Sequence, residues 1–205
     1  MHGVVLAVAL AFDVLISAGH EGRPASCARF PGRRCNLGAA GERAWTPLVA
    51  DAATLILRRH GVTVARLPAD FGGRYAVAAA VFIHFDGSTR ACASGASIGF
   101  HRVQDRPAAA AWHALYGEYF PFDFQPDNFT VGLRDYYAFE SVTARDASLV
   151  LELGELTCPA QRAWLAPRLQ WAGALLAYFL SKRIGKGDVP NPGPYAGAEA
   201  RPPKP

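Results

Sequence analysis

The sequence is poor in lysine and in long apolar runs. Its 21 basic residues include only three lysines, Lys182, Lys186 and Lys204, and the formal net charge is +4. No segment interleaves basic and aromatic residues as nucleic-acid-binding motifs do. No apolar run reaches the length of about 20 residues that a membrane-spanning helix needs. We therefore expect a globular protein with no nucleic-acid partner and no membrane span.

Local metal and phosphate motifs are also missing. The chain contains neither the HExxH pattern of zinc proteases nor a CxxC pair, and it has no glycine loop that could cradle a phosphate. These absences exclude zinc proteases with a local helical motif and P-loop nucleotide-binding proteins. Any metal or catalytic site must therefore be assembled from residues that lie far apart in the sequence.

Two apolar segments each end in a histidine. Residues 12–16 form the first, and a turn with two glycines then contains His20. Residues 79–83 form the second, and His84 follows directly. Short apolar runs bounded by glycine are typical of buried strands, and α/β sheets bind ligands at the carboxyl ends of their strands. The pair is a candidate metal site, although either histidine could instead only pack against or cap the sheet.

Glu42 supplies a third candidate ligand. It begins a segment with helical periodicity that Gly61 ends. A catalytic zinc site uses three protein ligands and keeps a fourth position open. His20, Glu42 and His84 have that number and those types of ligand. Glu42 could equally be a first-turn glutamate that the helix dipole favours.

Glu152 lies in a third apolar strand, over residues 148–154. A carboxylate among apolar residues costs free energy unless it is paired or functional. We therefore expect Glu152 to be the catalytic acid–base residue. Glu155 is the competing candidate, but it follows Gly154, where we expect the chain to reach solvent.

The four cysteines, Cys27, Cys35, Cys92 and Cys158, are an even number that is consistent with an oxidising compartment. We predict a Cys27–Cys35 disulfide, which closes the shortest loop, and then a Cys92–Cys158 disulfide. Four free buried thiols are the alternative.

Three segments define the domain organisation. Within residues 1–11, the apolar run 3–11 ends in Ala-Leu-Ala like an export signal, but the basic region usual before such a run is missing; the alternatives are an extra buried strand or a misplaced start codon. Residues 12–185 alternate helical and strand patterns, which is typical of a single α/β domain. Residues 186–205 are rich in proline, and we expect this tail not to pack against the core. An aromatic stretch over residues 120–137 forms either a substrate wall or ordinary core.

Five short segments, in this order, resemble the type-3 family of zinc-dependent N-acetylmuramoyl-L-alanine amidases, which cleave peptidoglycan. They are the turn around His20, the Gly-Ala-Ala-Gly segment before Glu42, the strand and turn with Arg66 and Asp70, the strand that ends at His84, and the strand around Glu152. The resemblance covers roughly residues 12–183. The chain departs from the family at Glu21, where a glycine is usual, and at Glu155, where a phenylalanine is usual.

The resemblance implies a mixed, mostly parallel sheet flanked by helices on both faces. It implies zinc held by His20, Glu42 and His84, with Glu152 moving the proton while the amide bond between N-acetylmuramic acid and L-alanine is hydrolysed. Candidate arginines for binding the peptide carboxylates or the oxyanion are Arg66, Arg74 and Arg145.

The expected partner is peptidoglycan, and we expect a secreted or periplasmic monomer. Two alternatives stay open. One is another zinc amide hydrolase or carboxypeptidase of similar architecture. The other is a non-catalytic cell-wall-binding module on the same fold.

Overall fold

The computed structural model describes residues 11–28 and 35–197. Most of the predicted export signal, the centre of the loop between Cys27 and Cys35 and the end of the proline-rich tail lie outside the described residues.

Five strands form one mixed sheet within the described ranges, in the order β2–β1–β3–β5–β4. They are β1 Val14–Ala18, β2 Val64–Leu67, β3 Tyr75–Asp86, β4 Ser97–Gly99 and β5 Val142–Glu155. The first four strands in the spatial order run parallel, and β4 pairs antiparallel with β5. The predicted fold class, an α/β domain with a mixed, mostly parallel sheet, is confirmed.

The described residues form five α-helices: α1 Glu42–Arg59, α2 Arg106–Gly117, α3 Val131–Arg134, α4 Pro159–Leu165 and α5 Leu169–Ile184. The three longest of them cover one face of the sheet. Apolar side chains of α1, α2 and α5 form one core with those on this face of β1, β3 and β5. The two long helices α1 and α5 approach closely at Gly173, where a Cβ atom would lie 2.6 Å from the Val49 carbonyl oxygen.

The other face is covered by α3 and the chain that follows it. Leu133 and Ala138 pack there against Leu15, Phe82 and Val150. Because both faces are covered, the central strand β1 is buried along its whole length. The prediction of helices on both faces is therefore confirmed, although the second face has only short ones.

Both predicted disulfides are confirmed. Cys27 is bonded to Cys35, with 4.7 Å between their Cα atoms, and Cys92 to Cys158, with 4.4 Å. The first closes the loop between β1 and α1. The second joins the loop before β4 to the start of α4.

The tail differs from the prediction over its described residues. Helix α5 ends at Gly185, whose φ of 65° turns the chain back along the helix. Val189 is then buried, and its N–H donates to the Ser181 hydroxyl. Further on, the Trp171 indole N–H donates to the Gly193 carbonyl. The expectation that these residues do not pack is wrong up to this point. In the described part of the chain, no helix has the length and apolar character needed to cross a membrane.

Candidate metal centre

His20 lies two residues past β1, in a tight turn. Its φ of 61° is in the left-handed region that residues other than glycine rarely adopt. Such strain occurs mostly at functional sites, where surrounding contacts hold it. The Nδ1 atom of His20 is 2.6 Å from the carbonyl oxygen of Asn36. A carbonyl oxygen only accepts hydrogen bonds, so this contact favours a proton on Nδ1 and a lone pair on Nε2, the form that binds a metal ion; the Arg23 Nη1 donor, 3.0 Å from Nδ1, favours the other tautomer.

Glu42 is the first residue of α1 and is buried. Its Oε2 atom accepts a 2.8 Å hydrogen bond from the Ala39 N–H, and Oε1 accepts one of 3.1 Å from the Phe85 N–H. Oε1 also faces both imidazoles, at 3.2 Å from His20 Nε2 and 2.9 Å from His84 Nδ1. Burial opposes the charged form of Glu42, but the contacts with His20 and His84 outweigh it and lower the pKa to about 2.

His84 lies near the carboxyl end of β3. Its Nε2 atom is 3.0 Å from the Tyr136 hydroxyl, which can donate or accept a hydrogen bond. Burial lowers the pKa of His84 and outweighs the effect of the Glu42 carboxylate, which would raise it. The imidazole is therefore neutral at neutral pH, which is the form that binds metal ions.

Two glycines leave the space that these side chains occupy. A Cβ atom on Gly19 would overlap the ring of His84, and one on Gly38 would overlap the carboxylate of Glu42. Gly38 also has a φ of 72°, a conformation that suits glycine. The glycines around His20 and before α1 therefore shape the centre as well as the turns.

The structure brings His20, Glu42 and His84 together in an arrangement that fits zinc. One donor atom from each lies within 4.8 Å of the other two. Both imidazoles direct a ring nitrogen at Glu42 Oε1, at 3.2 Å for His20 Nε2 and 2.9 Å for His84 Nδ1. In their deprotonated, metal-binding forms these three donor atoms would all face one cation. Two imidazoles and one carboxylate are also the protein ligands of known catalytic zinc sites, which keep a fourth position open.

Glu152 lies beside these three residues, on β5. The parallel register pairs it with His84, so both side chains extend from the same face of the sheet. Its Oε2 atom is buried and has no hydrogen-bond partner among the residues described. Burial raises the pKa of Glu152 well above its usual value, and the charges of Glu42 and Asp86 raise it further. A carboxyl group tuned in this way is suited to proton transfer near neutral pH.

Glu155 does not reach solvent, so the expectation for this residue is wrong. It is fully buried. Its carboxylate accepts hydrogen bonds from the backbone N–H groups of Cys92 and Ser94 and from the hydroxyls of Ser88 and Thr157. Burial opposes the charge, but these hydrogen bonds outweigh burial and lower the pKa of Glu155. Its contacts fasten the loop before β4 to the end of β5, which is a structural role.

Residues 95–99 match the Gly-x-Ser-x-Gly pattern of serine hydrolases, but the structure does not form a nucleophile elbow there. Ser97 lies in strand β4 and is fully buried. Its hydroxyl has no hydrogen-bond partner among the described residues, so no base activates it. Ser97 is paired across the sheet with Glu152.

The arginines proposed for substrate binding are not brought to the centre. Arg66 binds the carboxylates of Glu21 and Asp51, and Arg145 binds that of its neighbour Asp146. Arg74 is 3.5 Å from the Glu140 carbonyl oxygen. Because Arg66 and Arg145 are already paired with carboxylates of the protein, their charges are not free to bind a substrate.

Arg23 is at the centre, and the sequence analysis missed it. Its guanidinium is buried; it binds both oxygens of Asp70 at 3.1 Å and donates to the Asn36 carbonyl at 2.7 Å. It is also 3.1 Å from the Tyr137 hydroxyl. Its position three residues after a candidate ligand was a usable signal, but its partners come from distant loops.

The aromatic stretch divides between the two roles predicted for it. Phe120, Phe122 and Phe124 pack with the main core. Tyr136 and Tyr137 border a cavity of about 290 Å³ beside the centre. Of these aromatic residues, only those at the end of the stretch border the cavity beside the centre.

Two cavities flank the centre, and His20, His84 and Glu152 border both. The first, of about 290 Å³, is also bordered by Arg23 and Tyr136. The second, of about 430 Å³, extends to the other side and is bordered by polar groups that include Asp86, Ser88 and Thr157. The arrangement can bind a ligand that extends in both directions from the metal ligands.

No protein-family model matches the sequence, and no curated protein matches it either. Solved structures do match. The catalytic domain of CwlV, an N-acetylmuramoyl-L-alanine amidase from Bacillus (Paenibacillus) polymyxa var. colistinus, is 15% identical, with a TM-score of 0.61 over 85% of this chain and 99% of that one.

Two further structures agree. The amidase AmiC2 of Nostoc punctiforme is 14% identical, with a TM-score of 0.58 over 85% of this chain and 98% of that one. The amidase Ami1 from Mycobacterium smegmatis is 15% identical, with a TM-score of 0.53 over 86% of this chain and 98% of that one. The resemblance seen in the sequence is thus confirmed in the fold: the chain has the α/β fold of N-acetylmuramoyl-L-alanine amidase domains.

Proposed function

We propose that this chain is a zinc-dependent N-acetylmuramoyl-L-alanine amidase that hydrolyses the amide bond between N-acetylmuramic acid and L-alanine in peptidoglycan. The observation that supports this most strongly is the buried cluster of His20, Glu42 and His84 beside Glu152. The cluster lies at the carboxyl end of the parallel strands, where α/β folds bind ligands. The shared fold with amidases supports the substrate class.

In the proposed centre, His20, Glu42 and His84 would hold zinc. When bound, zinc would supply a Lewis acid for the scissile carbonyl and for a water molecule. The chain's own groups orient these ligands. The Asn36 carbonyl contacts the Nδ1 edge of His20, and backbone N–H groups hold both oxygens of Glu42.

Glu152 is the proposed acid–base residue. Its pairing with His84 across the sheet supports this role, because a water molecule bound at the centre would lie beside both side chains. Its raised pKa means that it holds a proton readily once it has taken one from the attacking water. It then gives that proton to the leaving amine of L-alanine. The same residue acts first as base and then as acid.

The two cavities suit a substrate that continues on both sides of the scissile bond. Peptidoglycan has this form, since the glycan strand lies on one side of the amide and the stem peptide on the other. Secretion is also part of the proposal. Two disulfides indicate folding in an oxidising compartment, and peptidoglycan lies outside the cytoplasm.

Digestion of purified peptidoglycan tests the proposal. We expect new amino groups of L-alanine without new reducing sugar ends, and no such release by the Glu152→Gln variant. Release of terminal D-alanine would instead identify a carboxypeptidase. Binding to the wall with full zinc content but no turnover would favour a non-catalytic module.

A further inference from the structure

The Asn36 carbonyl oxygen is the point at which His20 is held. It accepts hydrogen bonds from His20 Nδ1 at 2.6 Å and from Arg23 Nη1 at 2.7 Å. Arg23 Nη1 is also 3.0 Å from His20 Nδ1, so the guanidinium contacts the ring directly as well as through the shared oxygen. These contacts hold the Nδ1 edge of the ring and so direct Nε2 toward Glu42. The orientation of one proposed zinc ligand therefore depends on a loop carbonyl and on the arginine that binds it.

Asn36 itself belongs to an exposed loop, not to a helix or strand. A loop carbonyl is mobile unless other contacts restrain it. The residue before it, Cys35, is bonded to the buried Cys27. The residue two after it, Gly38, donates its N–H to the Asn36 side chain at 2.7 Å. The disulfide thus ties this part of the loop to the protein directly beside the carbonyl.

Arg23 is the second restraint on the same oxygen. It is nearly fully buried, and both oxygens of Asp70 bind its guanidinium at 3.1 Å. This bidentate pairing holds the guanidinium plane in one orientation. Its remaining donor reaches the Asn36 carbonyl. This buried and paired guanidinium therefore restrains the Asn36 carbonyl beside the proposed metal centre.

We propose that the Cys27–Cys35 disulfide and Arg23 are positioning groups for His20, and that they set the zinc affinity through the Asn36 carbonyl. The inference rests on the zinc site of the proposed function, but not on amidase activity. Groups that orient a metal ligand typically change metal affinity 10–100-fold when they are removed. Opening the disulfide takes two electrons and two protons from a dithiol reductant and yields two thiols. The reduced protein therefore binds zinc more weakly than the oxidised protein.

The test compares two double variants by competition for zinc against a chromophoric chelator. We expect Cys27→Ser with Cys35→Ser to weaken zinc binding about 10–100-fold. The matched control is Cys92→Ser with Cys158→Ser, which removes the other disulfide and touches none of the three ligands. We expect its zinc affinity to stay within about threefold of the unmodified protein, below the range typical of such groups.

The control separates positioning from general loss of stability. The Cys92–Cys158 bridge spans 66 residues and the Cys27–Cys35 bridge 8. Closing the longer loop removes more entropy from the unfolded chain, so its loss should destabilise the protein more. If zinc affinity only followed stability, the control would be the weaker binder. The proposal requires the opposite order.

A second pair of variants keeps the test valid if the cysteine variants fail to fold. Arg23→Gln removes the restraint on Asn36 and leaves the exposed Asp70 in water, and we expect zinc affinity to fall about tenfold. Arg102→Gln is its control, because Arg102 likewise binds both oxygens of one carboxylate, Asp105, and a backbone carbonyl, that of Ala144, and neither residue borders the centre. Nitrogen-15 NMR of the metal-free protein gives a direct readout: we expect the tautomer populations of His20 to change in Arg23→Gln and to stay unchanged in the control.

Unchanged zinc affinity in both the cysteine and the Arg23 variants would overturn the inference and leave the amidase proposal intact. Tight zinc binding with the predicted loss in the variants, but no cleavage of peptidoglycan, would do the reverse. Failure of the unmodified protein to bind zinc would overturn both.

Discussion

His20 and His84 have the same proposed role but opposite kinds of support. His84 belongs to β3 and pairs with Glu152 of β5, one residue past the last β3 residue that pairs with β1. Its backbone is therefore held by the sheet, whatever its side chain contacts. His20 lies beyond the end of β1 with a φ of 61°, and its orientation depends on the loop carbonyl of Asn36. One ligand is placed by the core and the other by a set of loop contacts.

This difference predicts which side of the centre is more easily disrupted by a mutation. A sheet position tolerates the loss of one side-chain contact, because neighbouring backbone hydrogen bonds remain. A loop position has few contacts in reserve, and each accounts for a larger share of its order. We therefore expect the His20 side of the centre to be the more sensitive to changes outside the ligands themselves.

Removing either histidine should have the largest effect on zinc binding, and the effect should be the same for both. We expect His84→Ala and His20→Ala each to reduce zinc content from one per chain to a small fraction, because two protein ligands seldom hold catalytic zinc. Metal analysis after dialysis measures this. Unchanged zinc in either variant would show that the assigned residue is not a ligand.

Glu152→Gln should separate catalysis from metal binding. It keeps the shape of the side chain and removes the base, so we expect turnover to fall at least about 100-fold while zinc stays bound. Turnover of peptidoglycan and zinc content are measured on the same preparation.

Glu155→Gln is the control for that variant. It lies three residues further along the chain and accepts structural hydrogen bonds, so we expect a loss of about 1–3 kcal/mol in unfolding free energy with much smaller loss of turnover. The reverse pattern would assign proton transfer to Glu155, and loss of zinc from Glu152→Gln would make Glu152 a ligand.

Acid should destabilise the metal-free protein through the centre. The pKa of Glu42 is lowered from 4.5 to about 2 in the folded state, so its contribution is complete above about pH 4.5 and is lost as the pH falls toward 2. A shift of this size corresponds to roughly 3 kcal/mol. The pKa of His84 is also lowered, so its contribution is lost as the pH falls below its unfolded value of 6.5.

Urea unfolding between pH 7 and pH 2.5 measures this dependence, and Glu42→Gln is the matched variant. We expect the curve of Glu42→Gln to be flatter below pH 4.5. Parallel curves for the two proteins would show that the charge of Glu42 is not stabilised in the fold.

The sequence was informative about the elements that follow a simple period. Apolar strands that end in His20 and His84 and a helix that begins at Glu42 are local patterns. Parallel strands bring their carboxyl ends to one edge, so the approach of these residues follows from the fold class. The pairing of Cys27 with Cys35 followed from loop length. For these features, the order of the elements along the chain is enough to predict which residues lie close together.

The missed features depend on loops that fold back. Arg23 meets Asp70 and Tyr137, which are 47 and 114 residues away in the sequence, and no period relates them. Glu155 was expected in solvent because a glycine precedes it, but residues 88–94 cover it. The sequence did not distinguish Tyr136 from the core aromatics before it, because all of them belong to one stretch rich in aromatic residues.

Tyr136→Phe tests the comparison between His20 and His84 directly, and we expect it to have the smallest effect of these variants. The variant removes the only described hydrogen-bond partner of His84 Nε2, at 3.0 Å, and keeps the ring that packs against Phe82. Burial raises the pKa of Tyr136, so its hydroxyl stays protonated and supports either tautomer of His84. Because β3 fixes the His84 backbone independently, we expect zinc affinity to fall tenfold or less, at the low end for such partners.

The same chelator competition measures this variant beside the Cys27→Ser, Cys35→Ser protein. Both changes act on one proposed zinc ligand from outside, the first through a side-chain hydroxyl and the second through a loop carbonyl. If the sheet supports its ligand better than the loop does, the cysteine variant loses more zinc affinity than Tyr136→Phe. An equal or larger loss in Tyr136→Phe would mean that the His84 ring depends on its hydrogen bond as much as His20 does, and the strand would then supply only the position of its backbone.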